Sequence, residues 1–347
     1  MTTLRAPSAA VTSFVVASRY LPVYIAIVVL VVVAAIWVPA TLGSVALSAI
    51  APYGALLGIA ALGQMLVVMT GGIDLSVPGT FTLAAALMVG VGQQSDERIG
   101  IAILVSVGAA ALVGLVNGIL IGGLQLNALI VTLAVGQVVF GVVNRYSRRS
   151  PVQSPVPTGW SEWVSTRIFG VSPIFWLGAV VTVLLIVAFR YTTVGRRFQV
   201  VGANPVASQV LGVRVTVNQI LAYVMAAVLY ALAGVALAGL LRSPGVAAGT
   251  AYLLGPIAAV VIGGASLTGG LASPLSTFAA ALFLTGLNQM MRTIGLPTAL
   301  QFVVFGLVII SGMLISGDRI IKGVEQVFRE RRRPKRIENE TVTSPIE

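Results

Sequence analysis

The stretch TGGIDLSVPG, residues 70–79, places a carboxylate, two glycines and a proline between two long apolar segments. Its acid, Asp74, is one of only four acidic residues that precede the C-terminal tail. The other three lie in polar stretches, at Asp96, Glu97 and Glu162. An ionisable group between apolar segments is costly and is kept for a structural or a functional reason. The surroundings of Asp74 therefore decide how the rest of the chain is interpreted.

The composition indicates a membrane protein. Of 347 residues, 57% are hydrophobic and 9% are charged, and the mean hydropathy is +1.01. A soluble domain carries roughly 25% charged residues, so this chain has too few to cover a surface that faces water. We therefore predict an all-α integral membrane protein. The chain has no Cys and no His, which excludes thiolate chemistry, imidazole catalysis and the common zinc sites, and no metal site is predicted.

Apolar segments of sufficient length predict about ten transmembrane helices, because a helix needs about 20 apolar residues to cross a bilayer. The predicted spans are 21–39, 45–70, 77–93, 99–123, 127–143, 173–190, 218–241, 253–268, 271–291 and 297–316. They form a membrane domain, 21–317, between an N-terminal segment, 1–20, and a tail, 318–347. The 45–93 region could instead contain a broken or re-entrant element.

The distribution of basic residues sets the predicted orientation. Ten spans place both termini on one side, and if that side is the cytoplasm it receives fourteen of the 21 basic residues. This bias predicts that both termini are cytoplasmic. Segment 1–20 lacks a cleavage site after a short apolar core, so it is read as retained and not as a signal peptide.

The tail contains a basic cluster directly after the last apolar span. Its eight basic residues are Arg319, Lys322, Arg329, Arg331, Arg332, Arg333, Lys335 and Arg336. Such a cluster is typical of a cytoplasmic anchor against anionic membrane lipid. Only one aromatic residue, Phe328, lies among them, so the prediction is lipid and no nucleic acid.

The predicted outer loop, 144–172, is an exception to the charge bias. It carries four arginines against Glu162, together with three prolines and two tryptophans. It is either a solvated connector or a landing surface whose arginines meet acids on an external partner.

The predicted cytoplasmic loop, 190–219, contains the sequence ANPVASQVLG at 203–212. Asn204 is a good helix N-cap, Pro205 fits the first helical position, and Gly212 suits the position after the last turn. These residues predict a helix of about two turns. So short a helix is marginal by itself in water, so it docks either on the chain's own helices or on a cytoplasmic partner.

Three motifs resemble a known family. GQMLVVMTGGIDLSV (63–77), VGANPVASQVLGV (201–213) and IAAVVIGGASLTGG (257–270) look like the sugar-type permease subunits of bacterial ABC importers, the ribose, xylose, arabinose and galactose group. The motifs keep family order over most of residues 45–316. GGIDLS (71–76) also echoes GGASLT (263–268) faintly, which leaves an inverted internal repeat possible.

The resemblance implies a bacterial plasma (inner) membrane protein with several partners. These would be a second permease, either identical or a sister chain, a cytoplasmic ATPase and an external sugar-binding protein. The chain departs from the family where an acid usually follows Tyr252, which hints at a sister subunit that supplies it. By resemblance, the short helix is the coupling helix that docks on the ATPase, with the residues Gly202, Ala203, Asn204, Pro205, Val206, Ala207, Val210, Leu211 and Gly212.

The polar residues inside the spans have two possible roles. As a structural residue, Asp74 or Ser76 caps a helix that begins near Val77, after a break at Gly71 and Gly72; as a pathway residue, Asp74 faces the central cavity and binds a sugar hydroxyl. The amides suit a neutral, hydroxyl-rich ligand, but they equally suit hydrogen bonds between helices. The candidate amides are Gln64, Asn117, Asn127, Gln137, Asn288 and Gln301.

The chain carries no phosphate-binding loop of its own. Its only lysines are Lys322 and Lys335, and neither is followed by Ser or Thr, so the Walker motif cannot be assembled. We expect no cofactor in this chain, with ATP and Mg²⁺ on a partner subunit, and no enzyme activity of its own. The alternative is an ion-coupled secondary transporter of a small neutral solute, which would need acids in the membrane; Asp74 is the one candidate.

Overall fold

The computed structural model describes residues 9–148 and 155–316, and in these ranges the chain is helical and contains no β-strand. The predicted all-α fold is confirmed. The predicted tail, 318–347, lies outside the described residues. So do residues 1–8 of the predicted N-terminal segment and residues 149–154 of the predicted outer loop. The helices are α1 (Ala9–Trp37), α2 (Ser44–Met69), α3 (Val77–Gly92), α4 (Ile99–Gly118), α5 (Ala128–Ser147), α6 (Thr158–Ser165), α7 (Pro173–Tyr191), α8 (Thr193–Ala203), α9 (Pro205–Val210), α10 (Val215–Leu241), α11 (Gly255–Ile262), α12 (Pro274–Thr293) and α13 (Thr298–Ser316).

Six helices in the described part of the chain are long and apolar enough to cross a membrane: α1, α2, α4 with the π-helical turn that follows it, α5, α7 and α10. Shorter apolar helices lie at Val77–Gly92, Thr250–Ile262 and Thr298–Gly312. The chain therefore has the character of a multi-pass membrane protein. Each predicted span overlaps a helix, whereas ten crossings and cytoplasmic termini stay predictions.

The predicted span at 253–268 is wrong as a continuous helix. Helix α11 has eight residues and is about 12 Å long, far short of the bilayer core of about 30 Å. Gly264 follows it with a φ of +81°, a backbone conformation that favours glycine. Residues 263–273 are then non-helical. The predicted start lies two residues before Gly255, whereas the small and apolar residues that continue past Ile262 concealed the end of the helix.

The N-terminal boundary also differs from the prediction. Helix α1 begins at Ala9, within the segment that was predicted to be a polar extension up to residue 20. Pro22 lies inside the helix. Helix α1 is therefore longer than its apolar stretch alone indicates.

Two groups of contacts define the ends of the helical bundle. At the α6 end, the backbone N–H of Val156 donates to the carbonyl of Arg242 (2.7 Å), and the N–H of Gly159 donates to Asp96 Oδ1 (2.8 Å). At the α8 end, the N–H of Gly270 donates to the carbonyl of Met69 (2.9 Å). The α6 end carries the predicted outer loop, and the α8 end carries the predicted cytoplasmic loop.

Helices α2 and α10 form the centre of the bundle. From Gly54 to Met69 every residue of α2 is buried, and α10 packs against α2, α3 and α4. Glycines allow this close packing: a Cβ on Gly114 of α4 would lie 2.5 Å from the carbonyl oxygen of Tyr223 in α10. Small residues at such contacts are typical of helices in membranes.

A second discontinuous element runs from Arg242 to Leu254. Apart from a 3₁₀ turn at Thr250–Tyr252, this segment is not helical. It starts at the α6 end, yet the N–H of Gly249 donates to Thr82 Oγ1 in α3 (3.1 Å). A Cβ on Gly249 would lie 2.3 Å from the carbonyl oxygen of Pro78, which is about 21 Å along α3 from its outer end. The irregular segment therefore descends deep into the bundle.

The predicted outer loop is ordered where it is described. Helix α6 is anchored by Trp160, whose Nε1–H donates to the carbonyl of Val235 in α10 (3.0 Å). Trp160 also stacks on Trp163, with ring centroids 5.0 Å apart. A cavity of about 590 Å³ opens beside the loop, between Arg167, Phe175 and the first turns of α2. The loop is thus packed on the bundle and is more than a loose connector.

Candidate functional site

The stretch TGGIDLSVPG, residues 70–79, forms a sharp helix break. Helix α2 ends at Met69, Gly71 has a φ of +86°, and the N–H of Gly72 turns back to the carbonyl of Val67 (3.1 Å). Helix α3 then begins at Val77, with Pro78 in its first turn. A break of this kind exposes backbone groups that must find partners inside the protein.

Gln64 supplies some of these partners. In the orientation that satisfies its neighbours, its amide donates to the carbonyl of Asp74 (3.0 Å) and accepts from the N–H of Asp74 (3.1 Å). The same amide is hydrogen-bonded to the hydroxyl of Tyr230 in α10 (3.0 Å). The returning chain is thereby attached to both α2 and α10.

The carboxylate of Asp74 is fully buried and organises the residues that lead into α3. Its Oδ1 accepts from the backbone N–H of Ser76 (2.8 Å) and from Ser76 Oγ (2.6 Å). Neither Asp74 nor Ser76 bonds an N–H of the first turn of α3 by its side chain. The predicted cap therefore takes another form: a short aspartate side chain reaches backbone two residues ahead and fixes the approach to the helix.

Neighbouring helices complete this arrangement. Asn117, near the end of α4, donates from Nδ2 to Ser76 Oγ (2.9 Å). Thr132 Oγ1, in α5, accepts from the backbone N–H of Leu75 (3.0 Å). We call Gln64, Asp74, Ser76 and Asn117 the break cluster. It links the discontinuous chain to α4 and α10 by hydrogen bonds between buried groups, while Asp74 Oδ2 and Asn117 Oδ1 have no hydrogen-bond partner among the described residues.

The other predicted pathway residues lie elsewhere. Asn127 is exposed and is the N-cap of α5, where its Oδ1 accepts from the N–H of Leu129 (3.0 Å). Gln301 donates to the carbonyl of Leu296 in the turn before α13 (2.8 Å). Asn288 is half-buried in α12, and Gln137 is exposed on α5. Asn127 and Gln301 therefore serve local helix-end structure, and only Gln64, Asp74 and Asn117 come together.

The two discontinuous elements lie side by side. Besides the contact of Gly249 with Thr82, the ring of Phe81 in α3 stacks on Tyr252, with centroids 4.6 Å apart and an interplanar angle of 15°. The irregular segment is exposed at Ala247, Thr250 and Leu254 on its other side. One face of the bundle thus presents non-helical backbone at membrane depth.

The predicted coupling sequence has the expected local structure. Helix α9 spans Pro205–Val210, Asn204 Oδ1 accepts from the N–H of Ala207 (2.9 Å), and Gly212 has a φ of +78°. Three apolar side chains of this region are 71%, 83% and 73% exposed, at Val206, Val210 and Leu211. So exposed an apolar cluster at the α8 end is suited to contact a partner.

Ser208 joins α9 to α8. Its side chain is buried, and its Oγ is within hydrogen-bonding distance of the carbonyls of Val200 (2.9 Å) and Asn204 (2.7 Å). The N–H of Val213 also donates to the carbonyl of Ser208 (2.9 Å). Helices α8 and α9 therefore form one unit.

The end of α8 contacts both helix breaks. A Cβ on Gly202 would lie 1.7 Å from the carbonyl oxygen of Met69 and 2.4 Å from the backbone nitrogen of Gly270. Met69 ends α2, and Gly270 lies in the non-helical stretch after α11. The three motifs singled out in the sequence therefore meet at one point.

The sequence analysis did not identify Tyr230, Thr132 and Ser208. Tyr230 and Gln64 are 166 residues apart in the chain, and no local pattern connects them. Ser208 lies within the predicted coupling helix, but its burial follows only from how α9 folds against α8.

Comparison with known proteins shows the family to which the chain belongs. A family model described as the permease component of branched-chain amino acid transport systems matches residues 46–313. The match covers all three motifs, both discontinuous elements and the α8–α9 unit. The chain belongs to this family of ABC-importer permeases. The resemblance stated from the motifs is confirmed.

Individual permeases are similar over most of their length. The ribose import permease protein of Escherichia coli K12 is 32% identical over 269 residues, which cover 75% of this permease and 82% of the relative. The fructose import permease protein of Rhizobium meliloti is 32% identical, with 75% and 74% covered. The galactose/methyl galactoside import permease protein of E. coli K12 is 28% identical, with 83% and 91% covered. No solved structure matches this permease.

Proposed function

We propose that this permease is the membrane-spanning subunit of an ATP-driven importer for a neutral monosaccharide. Family membership and relatives that are named as ribose, fructose and galactose import permeases support the substrate class. The chemistry of the bundle is compatible with it. Of the four acids ahead of the tail, only Asp74 lies at a helix break inside the bundle, and its carboxylate is directed at Ser76.

The observation that carries the proposal is the exposed apolar face of α9. A six-residue helix at the end of a membrane bundle has no reason to expose three large aliphatic side chains unless a partner covers them. The sequence cannot assemble a phosphate-binding loop, so the partner must supply the nucleotide site. We infer that this partner is a cytoplasmic ATPase that carries ATP and Mg²⁺ and accepts α9 in an apolar groove.

The irregular segment 242–254 supports a second permease. Non-helical backbone at membrane depth is tolerated only where protein covers it or where it lines a water-filled cavity. In the single chain, Ala247, Thr250, Ala251 and Leu254 are exposed. We infer that a second permease chain faces this surface, and that the solute passes between the two chains along it.

The opposite end of the bundle suits delivery of the solute. The described part of the predicted outer loop is packed on α10 and carries an exposed arginine, Arg167, beside the cavity at the α6 end. An external binding protein that presents acidic residues would complement this arginine and dock on the far side from α9.

Uptake in reconstituted vesicles tests the proposed function. The permease is co-reconstituted with an ABC-importer ATPase and a sugar-binding protein, and uptake of labelled ribose, galactose and fructose is measured. We expect uptake of one of them to require both ATP and the binding protein and to resist a proton uncoupler. Uptake by the permease alone that an uncoupler stops would show an ion-coupled secondary transporter instead.

Cysteine labelling tests the position of the pathway. The chain has no Cys, so Ala251→Cys introduces a single thiol on the irregular segment. The matched control is Leu104→Cys in α4. The Leu104 side chain is 69% exposed and is expected to contact lipid. A thiol reacts as its thiolate, which needs water, so a charged thiosulfonate should label Ala251→Cys at least about tenfold faster in membranes. Equal, slow labelling of both variants would contradict an aqueous pathway along this segment.

A further inference from the structure

The contact between α8 and the two non-helical stretches is the closest approach of a glycine to another part of the chain among the described residues. Backbone approaches backbone here, with no side chain between them. Gly202 lies against the carbonyl of Met69, and a Cβ on Gly269 would lie 2.7 Å from the carbonyl oxygen of Gly202. We call Gly202, Gly269, Gly270 and the Met69 carbonyl the glycine junction.

The backbone at the junction is specialised. Gly269 and Gly270 have φ angles of +99° and +83°, conformations that other residues seldom adopt. This lets the loop after α11 lie flat against the end of α8. The N–H of Gly270 then donates to the carbonyl of Met69 (2.9 Å), and this bond satisfies one of the carbonyls at the end of α2 that have no partner within the helix.

The junction is the point where motion of α9 would reach the break after α2 and the loop after α11. Ser208 holds α9 to α8, and α8 ends at Gly202. From Gly202 one contact leads to Met69 and the break cluster, and another leads to Gly270 and the loop after α11. Both non-helical stretches, the break after α2 and the loop after α11, therefore end on the same surface of α8.

We propose that the glycine junction is a rigid contact that transmits displacement of the coupling helix to the break after α2 and to the loop after α11 at once, with Gly202 as its positioning residue. This inference rests on the proposed coupling to an ATPase. Close-packed backbone without intervening side chains has no rotamers that could absorb a small shift. A push on α9 therefore moves the ends of α2 and of the loop after α11 together.

A Gly202→Ala variant separates docking from transmission. The methyl group cannot be accommodated 1.7 Å from the Met69 carbonyl oxygen, so the end of α8 must move away, while the exposed face of α9 is unchanged. Gly202 was grouped with the docking residues by resemblance, but it is buried at the end of α8 and not on the exposed face of α9, so we expect the ATPase to co-purify at the wild-type ratio. Solute-stimulated ATP hydrolysis and uptake should fall by about tenfold, within the range by which residues between two sites alter their coupling. The control is Gly108→Ala in α4, where an added Cβ meets nothing within 4 Å.

A disulfide across the glycine junction would lock the contact that Gly202→Ala forces apart. A Cβ on Gly270 would lie 3.1 Å from Cβ of Ala203, close to the separation of about 3.5–4.5 Å found in disulfides. The double variant Ala203→Cys/Gly270→Cys should cross-link on oxidation. Its coupling should be the same in the oxidised and the reduced form, because both forms carry the same strain at residue 270 and a rigid contact works when locked.

The results distinguish the possible failures. Loss of coupling in the oxidised double variant that a reductant restores would show that the junction must open, and would overturn the rigid contact. Full coupling in Gly202→Ala would overturn it as well. If the wild-type permease fails to bind the ATPase at all, the proposed function fails first, whatever the glycine variants do.

Discussion

Replacing Val206, Val210 and Leu211 together by serine should release the permease from its ATPase. These side chains are the largest exposed apolar groups on the α8–α9 unit, and no described element covers them. Truncating an apolar anchor at an interface costs about 1–2 kcal/mol. Three such changes should weaken association by at least about 100-fold, which corresponds to about 2.7 kcal/mol.

The measurement is the amount of ATPase that co-purifies with the permease from membranes, at matched permease levels. Insertion and folding should be unaffected, because the substituted side chains are solvent-exposed and the Asn204 cap is retained. A double variant, Val194→Ser/Val200→Ser, makes the same polar change at α8 positions that are 42% and 41% exposed. It should keep the ATPase. Equal loss in both variants would show that α9 is not the docking element.

Removing the Asp74 carboxylate should destabilise the permease more than neutralising it. Asp74→Ala leaves the N–H and the hydroxyl of Ser76 without the acceptor that they share. An unsatisfied buried donor costs about 1–3 kcal/mol, so we expect a loss of about 2–4 kcal/mol in total. For a protein of this size the Tm in detergent should fall by roughly 5–10 °C.

Asp74→Asn separates the architectural role from a direct role in transport. The asparagine oxygen can still accept from Ser76, so stability and uptake should both stay within about twofold of wild type. If Asp74 binds the solute or an ion through its charge, Asp74→Asn would remain folded but lose uptake. Asn144→Ala is the control, because that amide is exposed and donates only to the carbonyl of Phe140 in its own helix (3.0 Å).

The sequence predicted features that depend on local chemistry. Gly71 and Gly72, followed by a proline, predicted a break and a helix that starts near Val77, and α3 begins at that residue. Asn204, Pro205 and Gly212 predicted the short helix that is found at Pro205–Val210. Each of these features is set by backbone preferences and hydrogen bonds within a few residues.

Features that depend on distant packing were not predictable. An amide that caps a helix, such as Asn127, has the same residue type and a similar apolar context as Asn117, which bonds Ser76 across the bundle. Only the fold shows which of them points inward. The early end of α11 was hidden for a related reason, since small and apolar residues continue past Ile262 and apolar composition alone does not reveal helix length.

The short length of α11 has a consequence for insertion of the protein into the membrane. The insertion machinery selects segments that are long and apolar enough to partition into lipid by themselves. An eight-residue helix preceded by irregular chain does not meet that requirement. We therefore expect segment 242–262 to enter the bilayer only against helices that are already in place, α3 beside the irregular chain and α2 and α12 beside α11. Biogenesis of this protein then has two stages, and the surface that completes it last is the one that a sugar would travel along.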